Sequence, residues 1–120
     1  FDVIWIGLSL HHLPSKAKKR LFRELHRILA GGGSLLIYEP TLDDGESHDA
    51  FMQRTERLIH DTWLALDHDE RVEIYNHIHH CDLPEPLAGW QQLARNAGFT
   101  GMRQLFVDAP RMYRLFQFQP

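Results

Sequence analysis

The first 38 residues constrain the fold most, because they spell a strand, a helix and a second strand in unbroken succession. Val3 to Leu10 is apolar at nearly every position, with Ile4, Ile6, Leu8 and Leu10 alternating against Val3, Trp5 and Ser9. Continuous apolarity without a polar face predicts a strand covered on both sides, as in a parallel sheet. His11-His12-Leu13-Pro14 breaks the run, and Ser15 is placed to cap the helix that follows. Ala17, Leu21, Leu25, Ile28 and Leu29 recur at helical spacing with Phe22 beside them, so one face of that helix packs inward. Gly31-Gly32-Gly33 then predicts a left-handed C-cap, which a residue without Cβ adopts at least cost. Ser34 to Tyr38 is a second apolar run, closed by Glu39-Pro40. A strand joined to its neighbour through a helix crosses over right-handedly, so the two strands are expected to be parallel.

Beyond Thr41 the periodicity turns helical. Phe51, Leu58, Ile59, Trp63 and Leu66 form one apolar stripe, and Val72, Tyr75 and Ile78 a second, with Asp67-His68-Asp69 as a break and cap between them. This helical insert, residues 46–80, follows the C-terminal end of the second strand and is placed to cover a pocket there. Whichever of Phe51, Arg54, Trp63 and Tyr75 faces that pocket would set the choice of ligand; the alternative is an insert that only packs a sheet face. A further helix is expected over Leu83–Ala97, with Asp82 and Glu85 as its capping box and Gly98 as its end. Met102–Val107 and Met112–Phe118 read as a hairpin around Ala109-Pro110.

Charge and cysteine content exclude several functions. A net charge of −3 gives no electrostatic basis for nucleic-acid or anionic-membrane binding. The basic run Lys16 to Arg20 is expected to be a solvated helix face. A single cysteine, Cys81, rules out an intrachain disulfide framework and fits a reducing, cytoplasmic setting. No apolar run reaches the roughly 20 residues of a membrane span. His77, His79, His80 and Cys81 invite a metal reading, with Asp67 and His68 nearby. No second ligand pair at finger-like spacing accompanies them, so no metal site is expected there. Histidines near a helix C-terminus are favoured by its dipole when protonated, which suffices to account for them.

The ordered set Phe1-Asp2-Val3-Ile4, Leu10-His11-His12-Leu13-Pro14, Leu25-His26-Arg27-Ile28-Leu29 and Gly32-Gly33-Ser34-Leu35-Leu36-Ile37-Tyr38-Glu39 resembles the half of class I S-adenosylmethionine-dependent methyltransferases that follows their Gly-rich loop. Asn96-Ala97-Gly98-Phe99 and the hairpin after it are similar to that family's last helix and strands. Ala30-Gly31 departs from the Lys-Pro usual at that turn. The resemblance implies an α/β fold, the C-terminal half of a Rossmann-like sheet: two parallel strands, an antiparallel C-terminal hairpin and a helical insert, in a single partial domain over residues 1–120. It implies S-adenosylmethionine as methyl donor and a small molecule as acceptor. Ser9, Leu10 and His11 at the end of the first strand would lie beside the donor. If the acceptor must lose a proton, His11, His12 and Glu39 are the available bases, with His12 and Glu39 the candidate catalytic residues, although His12 could serve only packing and Glu39 could equally hold a loop or helix terminus.

The family's glycine loop and ribose-binding acid have no counterpart among these residues, since Gly31-Gly32-Gly33 follows a helix rather than a strand. The expectation is therefore a portion that needs a companion half, does not bind the donor alone, and exposes its first strand to that half or to a second copy in a homodimer. The alternative is a non-catalytic α/β remnant or swapped subunit acting as a binding or assembly module.

Overall fold

The computed structural model describes residues 1–120. Strand β1 (Val3–Gly7) leads through a 3-10 turn (Leu10–His12) into helix α1 (Ser15–Ile28), and strand β2 (Ser34–Leu42) follows. Helices α2 (His48–Thr62) and α3 (His68–Cys81) make the insert. The two-residue strand β3 (Glu85–Pro86), helix α4 (Leu87–Ala97) and the hairpin β4 (Gly101–Val107) and β5 (Tyr113–Gln119) complete the chain. The sheet order is β1-β2-β5-β4. β1 and β2 are parallel, whereas β5 runs antiparallel to both β2 and β4. Two parallel strands, an antiparallel hairpin and a helical insert are thus the α/β architecture that the sequence led us to expect.

Burial explains why β2 is the centre. Leu35 and Ile37 from β2, with Phe116 and Phe118 from β5, point to one face and are fully enclosed. Phe22 and Leu25 of α1 and Trp90, Leu93 and Ala94 of α4 cover them, and the rings of Phe22, Phe99 and Phe118 meet edge to face. A smaller cluster of Leu42, Phe51, Met52 and Met112 fastens α2 to the sheet. Helix α3 contributes no buried residue and rides on α2. No helix is long and apolar enough to cross a membrane.

Several local expectations are corrected. β1 is covered on one face only: Ile4 and Ile6 pack against the core, but Val3 and Trp5 are 59% and 57% exposed. The strand stops at Gly7 because Leu8 takes a left-handed conformation (φ 51°) and sends the chain into the 3-10 turn. Ser15 makes no capping bond; Pro14 occupies the N-cap, and its carbonyl accepts from the N–H groups of Ala17 and Lys18. None of Gly31, Gly32 and Gly33 has a positive φ, and extended Leu29 ends α1 instead. Gly33 is needed for closeness, since a Cβ there would lie 2.9 Å from the Asp2 carbonyl oxygen. Asp82 and Glu85 form no capping box. Asp82 ends α3, Glu85 and Pro86 pair with Thr41 and Leu42, and α4 begins only at Leu87 because Pro86 stands at its N-cap. Lys18 is not on a solvated face: it is 1% exposed, and its ammonium donates to the Leu83 carbonyl and to Glu85. Gly98 does end α4 in the left-handed region (φ 103°), and Asp67 with Glu70 makes a full capping box for α3.

Candidate functional site

The C-terminal ends of β1 and β2 open side by side, and a cleft of about 300 Å³ lies over them. Leu8, His11, His12 and Pro40 form its floor, Phe51 and Thr55 of α2 and Ile78 of α3 one wall, and Met112 and Tyr113 of the hairpin another. Of the four insert residues singled out from the sequence, Phe51 is the one that lines the cleft. Arg54 is turned away, donating to Glu46 and to the carbonyls of Pro110 and Arg111, so it clamps the hairpin loop to the insert. Trp63 and Tyr75 do not line the cleft; Tyr75 borders a smaller depression of about 100 Å³ between α2 and α3.

Glu39 holds the floor together from below. Its side chain is fully buried, and every bond it makes goes to the segment after β1. Oε1 accepts from the N–H groups of Ser9 (2.7 Å) and Leu10 (2.8 Å). Oε2 accepts from the His11 N–H at 3.3 Å and lies 2.6 Å from His11 Nδ1. Burial is the largest single influence on this carboxyl and pushes its pKa up. The hydrogen bonds from His11, Leu10 and Ser9 together outweigh it and hold the group below the ordinary glutamate value. An ionised carboxylate only accepts, so Nδ1 must carry the hydrogen in this contact. For a neutral ring that leaves the lone pair on Nε2. Of the two roles open to Glu39, the geometry is that of a loop anchor.

His11 is buried among these contacts, with Nε2 turned to Asp82 Oδ2 at 3.8 Å. His12 is half-exposed, its Nδ1 3.3 Å from Asp82 Oδ1 and its ring centroid 4.0 Å from that of His11. Ser9 is exposed and its hydroxyl donates to the Gly7 carbonyl, whereas the Leu10 side chain is buried in the core. The structure thus joins His11, His12 and Glu39 in one site, with Ser9 at its edge and only the backbone of Leu10 taking part.

Sequence reasoning missed Asp82, which it read as a helix cap. Asp82 reaches the site because Leu83 is fixed twice: its N–H donates to the His11 carbonyl at 2.7 Å, and its carbonyl accepts from Lys18. No local pattern announces contacts between residues 65 and 72 positions apart. A buried lysine in a basic run was the one available signal, and its spacing beside Phe22 could have been read as inward-facing.

Comparison with known proteins agrees with the fold. A family model described as a methyltransferase domain matches residues 1–37. The tetracenomycin polyketide synthesis 8-O-methyl transferase of Streptomyces glaucescens is 27% identical over 109 residues, covering 91% of this chain and 27% of that protein. Among solved structures, PigF with SAH superposes with a TM-score of 0.67 at 15% identity, covering 99% of this chain and 30% of that one. Human N-acetylserotonin methyltransferase in complex with SAM gives 0.63 at 14% identity, over 98% of this chain and 29% of the other. CalO1, a methyltransferase in calicheamicin biosynthesis in its SAH-bound form, gives 0.65 at 13%, over 99% and 30%. The chain therefore spans under a third of the length of these relatives. It has the fold of the C-terminal part of class I methyltransferases, as the sequence resemblance implied.

Proposed function

We propose that this chain forms the acceptor-facing part of an S-adenosylmethionine-dependent O-methyltransferase acting on a small hydroxyl compound, with His11 as general base. The observation that carries this reading is the buried His11 ring lining the cleft, held at Nδ1 by a fully buried carboxylate and with Nε2 turned to Asp82, another cleft residue. An oriented base is superfluous for an acceptor with a free lone pair and no proton to lose, and useful for a hydroxyl. The relative named for 8-O-methyl transfer supports the same acceptor atom.

The donor, when bound, supplies a methyl group on a positively charged sulfur. In a displacement that exchanges one C–S bond for one C–O bond, His11 Nε2 would accept the proton that the acceptor hydroxyl gives up. Alignment accounts for most of the acceleration in such a displacement. Here it falls to the floor fixed by Glu39 and to the apolar wall of Phe51, Ile78, Met112 and Tyr113, which would hold a flat apolar acceptor. The half-exposed position of His12 beside Asp82 suits a subsidiary, polar contact to the acceptor. Ser9 fits the donor side of the floor, because its hydroxyl is at the exposed rim next to Leu8.

Donor binding would be completed by a glycine-loop segment outside these residues. The free edge of β1, the terminal strand of the sheet, is where such a segment would pair, and its uncovered Val3–Trp5 face is what it would help to bury; a second copy would compete for both. That same exposed edge is what favours the other reading, an assembly module without catalysis. In the enzyme containing this chain, His11→Ala is expected to lower kcat by about 10²- to 10⁴-fold with the KM for S-adenosylmethionine unchanged. His12→Ala is expected to do less. Retention of wild-type kcat by His11→Ala would overturn the base assignment, and micromolar donor binding by this chain alone in calorimetry would overturn the need for a companion segment.

A further inference from the structure

We propose that His11, His12 and Asp82 form a binding site for a divalent transition metal of the Zn²⁺ class. One ligand atom from each residue lies within 4.8 Å of those of the other two. In a tetrahedral zinc site with bonds of about 2.0–2.1 Å, neighbouring ligand atoms stand about 3.3 Å apart. His12 Nδ1 is 3.3 Å from Asp82 Oδ1 and His11 Nε2 is 3.8 Å from the other oxygen, Oδ2, so the carboxylate stands between the two rings where an ion would draw all three together.

A second, independent observation points the same way. Asp82 is 9% exposed, and its Oδ1 is buried without a hydrogen-bond partner, despite the proximity of His12. A carboxylate oxygen left unpaired in such a place is costly unless a cation or donor meets it. The support beneath the site is that of a metal centre as well. His11 Nδ1 is engaged by Glu39, which leaves Nε2 as the free ligand atom; a carboxylate behind a ligating imidazole orients it and raises its basicity. Two imidazoles and one carboxylate suit zinc, cobalt or nickel rather than calcium or magnesium. Three protein ligands leave a coordination position for water. Of His77, His79, His80 and Cys81, to which the sequence drew attention, only His77 borders this cleft, and the four do not come together as a ligand set.

The inference does not depend on the methyl-transfer reading, but it bears on it. Nε2 of His11 has one lone pair, so a bound ion and an abstracted proton exclude one another. Zn²⁺ would then inhibit the proposed reaction.

The test is titration of the purified protein with ZnCl₂ by calorimetry, and with CoCl₂ while recording the visible absorption of the bound ion. One ion per chain is expected, with the intense visible bands of a four- or five-coordinate Co²⁺ site. Asp82→Asn and His12→Ala should each weaken binding by about tenfold or more. His12 is half-exposed, so His12→Ala keeps the test valid should Asp82→Asn unfold, and circular dichroism checks both. His80→Ala and Cys81→Ser should bind as wild type does. No binding at micromolar metal, equal binding by His12→Ala, or loss of binding in His80→Ala or Cys81→Ser would each overturn the site.

Discussion

Replacing Glu39 by glutamine changes one atom and should disturb both stability and the imidazole above it. Four hydrogen bonds converge on this carboxylate. In Glu39→Gln the amide oxygen can keep the N–H groups of Ser9 and Leu10, but each of those bonds loses its ionic assistance, about 1 kcal/mol apiece. The amide nitrogen then faces two His11 donors, the long backbone N–H contact and the short ring Nδ1–H one, and loss of the acceptor for the ring donor alone costs about 1–2 kcal/mol. Burying an amide instead of a charge returns part of this, so the net loss should be about 2–3 kcal/mol. For a chain of this size that is a fall in Tm of about 10 °C. The imidazole has an escape: it can move its hydrogen to Nε2 and accept from the new amide with Nδ1. The loop would survive while the lone pair facing the cleft disappears. Thermal and urea melts measure the first effect, and long-range proton–nitrogen correlation spectra of the histidine rings report the second. A Tm within about 3 °C of wild type, together with an unchanged His11 tautomer, would refute this account of Glu39.

Two other outcomes follow from features away from the cleft. Asp43 bonds Arg111 at 2.8 Å and Arg114 as well; the Arg111 bond, opposed by burial and helped by the Arg114, Arg111 and Arg54 charges, holds its pKa below 3.8. A depressed folded-state pKa stabilises above the unfolded value and is lost as pH falls through the folded one. Wild type should therefore exceed Asp43→Asn in urea-melt stability near neutrality, with the gap narrowing as pH falls below about 4; a gap that stays constant from neutrality down to the acid limit of the folded state would contradict it. Trp5→Lys places a charge on the exposed edge strand and should leave Tm within about 2 °C while reducing self-association in light scattering. Undiminished association would mean that copies meet through another surface.

What could be read from the sequence was what local patterns encode. The parallel pair β1 and β2 follows from two apolar runs around an amphipathic helix, and the hairpin from two apolar runs around Ala109-Pro110. The grouping of His11, His12 and Glu39 at the strand ends of an α/β sheet was legible too, and the structure brings the three side chains together. Termini were less legible. Ser15, Asp82 and Glu85 are capping residues by type, yet Pro14 and Pro86 fix their own φ near −70° and take the N-cap positions. The division of labour within the site was not legible at all. Nothing in the order His11-His12 says which ring a carboxylate 28 residues later will seize, and Asp82 enters only through the pinning of Leu83 by His11 and Lys18.

That pinning has a consequence for how the protein can change. The insert enters from Leu42, which is locked into β2 beside β3, and leaves through Leu83, whose two backbone groups are both engaged. Between these clamps, α3 buries none of its side chains, whereas α2 is fastened to the sheet through Phe51 and Met52 and to the hairpin loop through Arg54. Helix α3 is therefore the part of the insert whose sequence can drift at least cost, remaking the Ile78 side of the cleft while α2 and the clamps keep His11, Glu39 and Asp82 where they are.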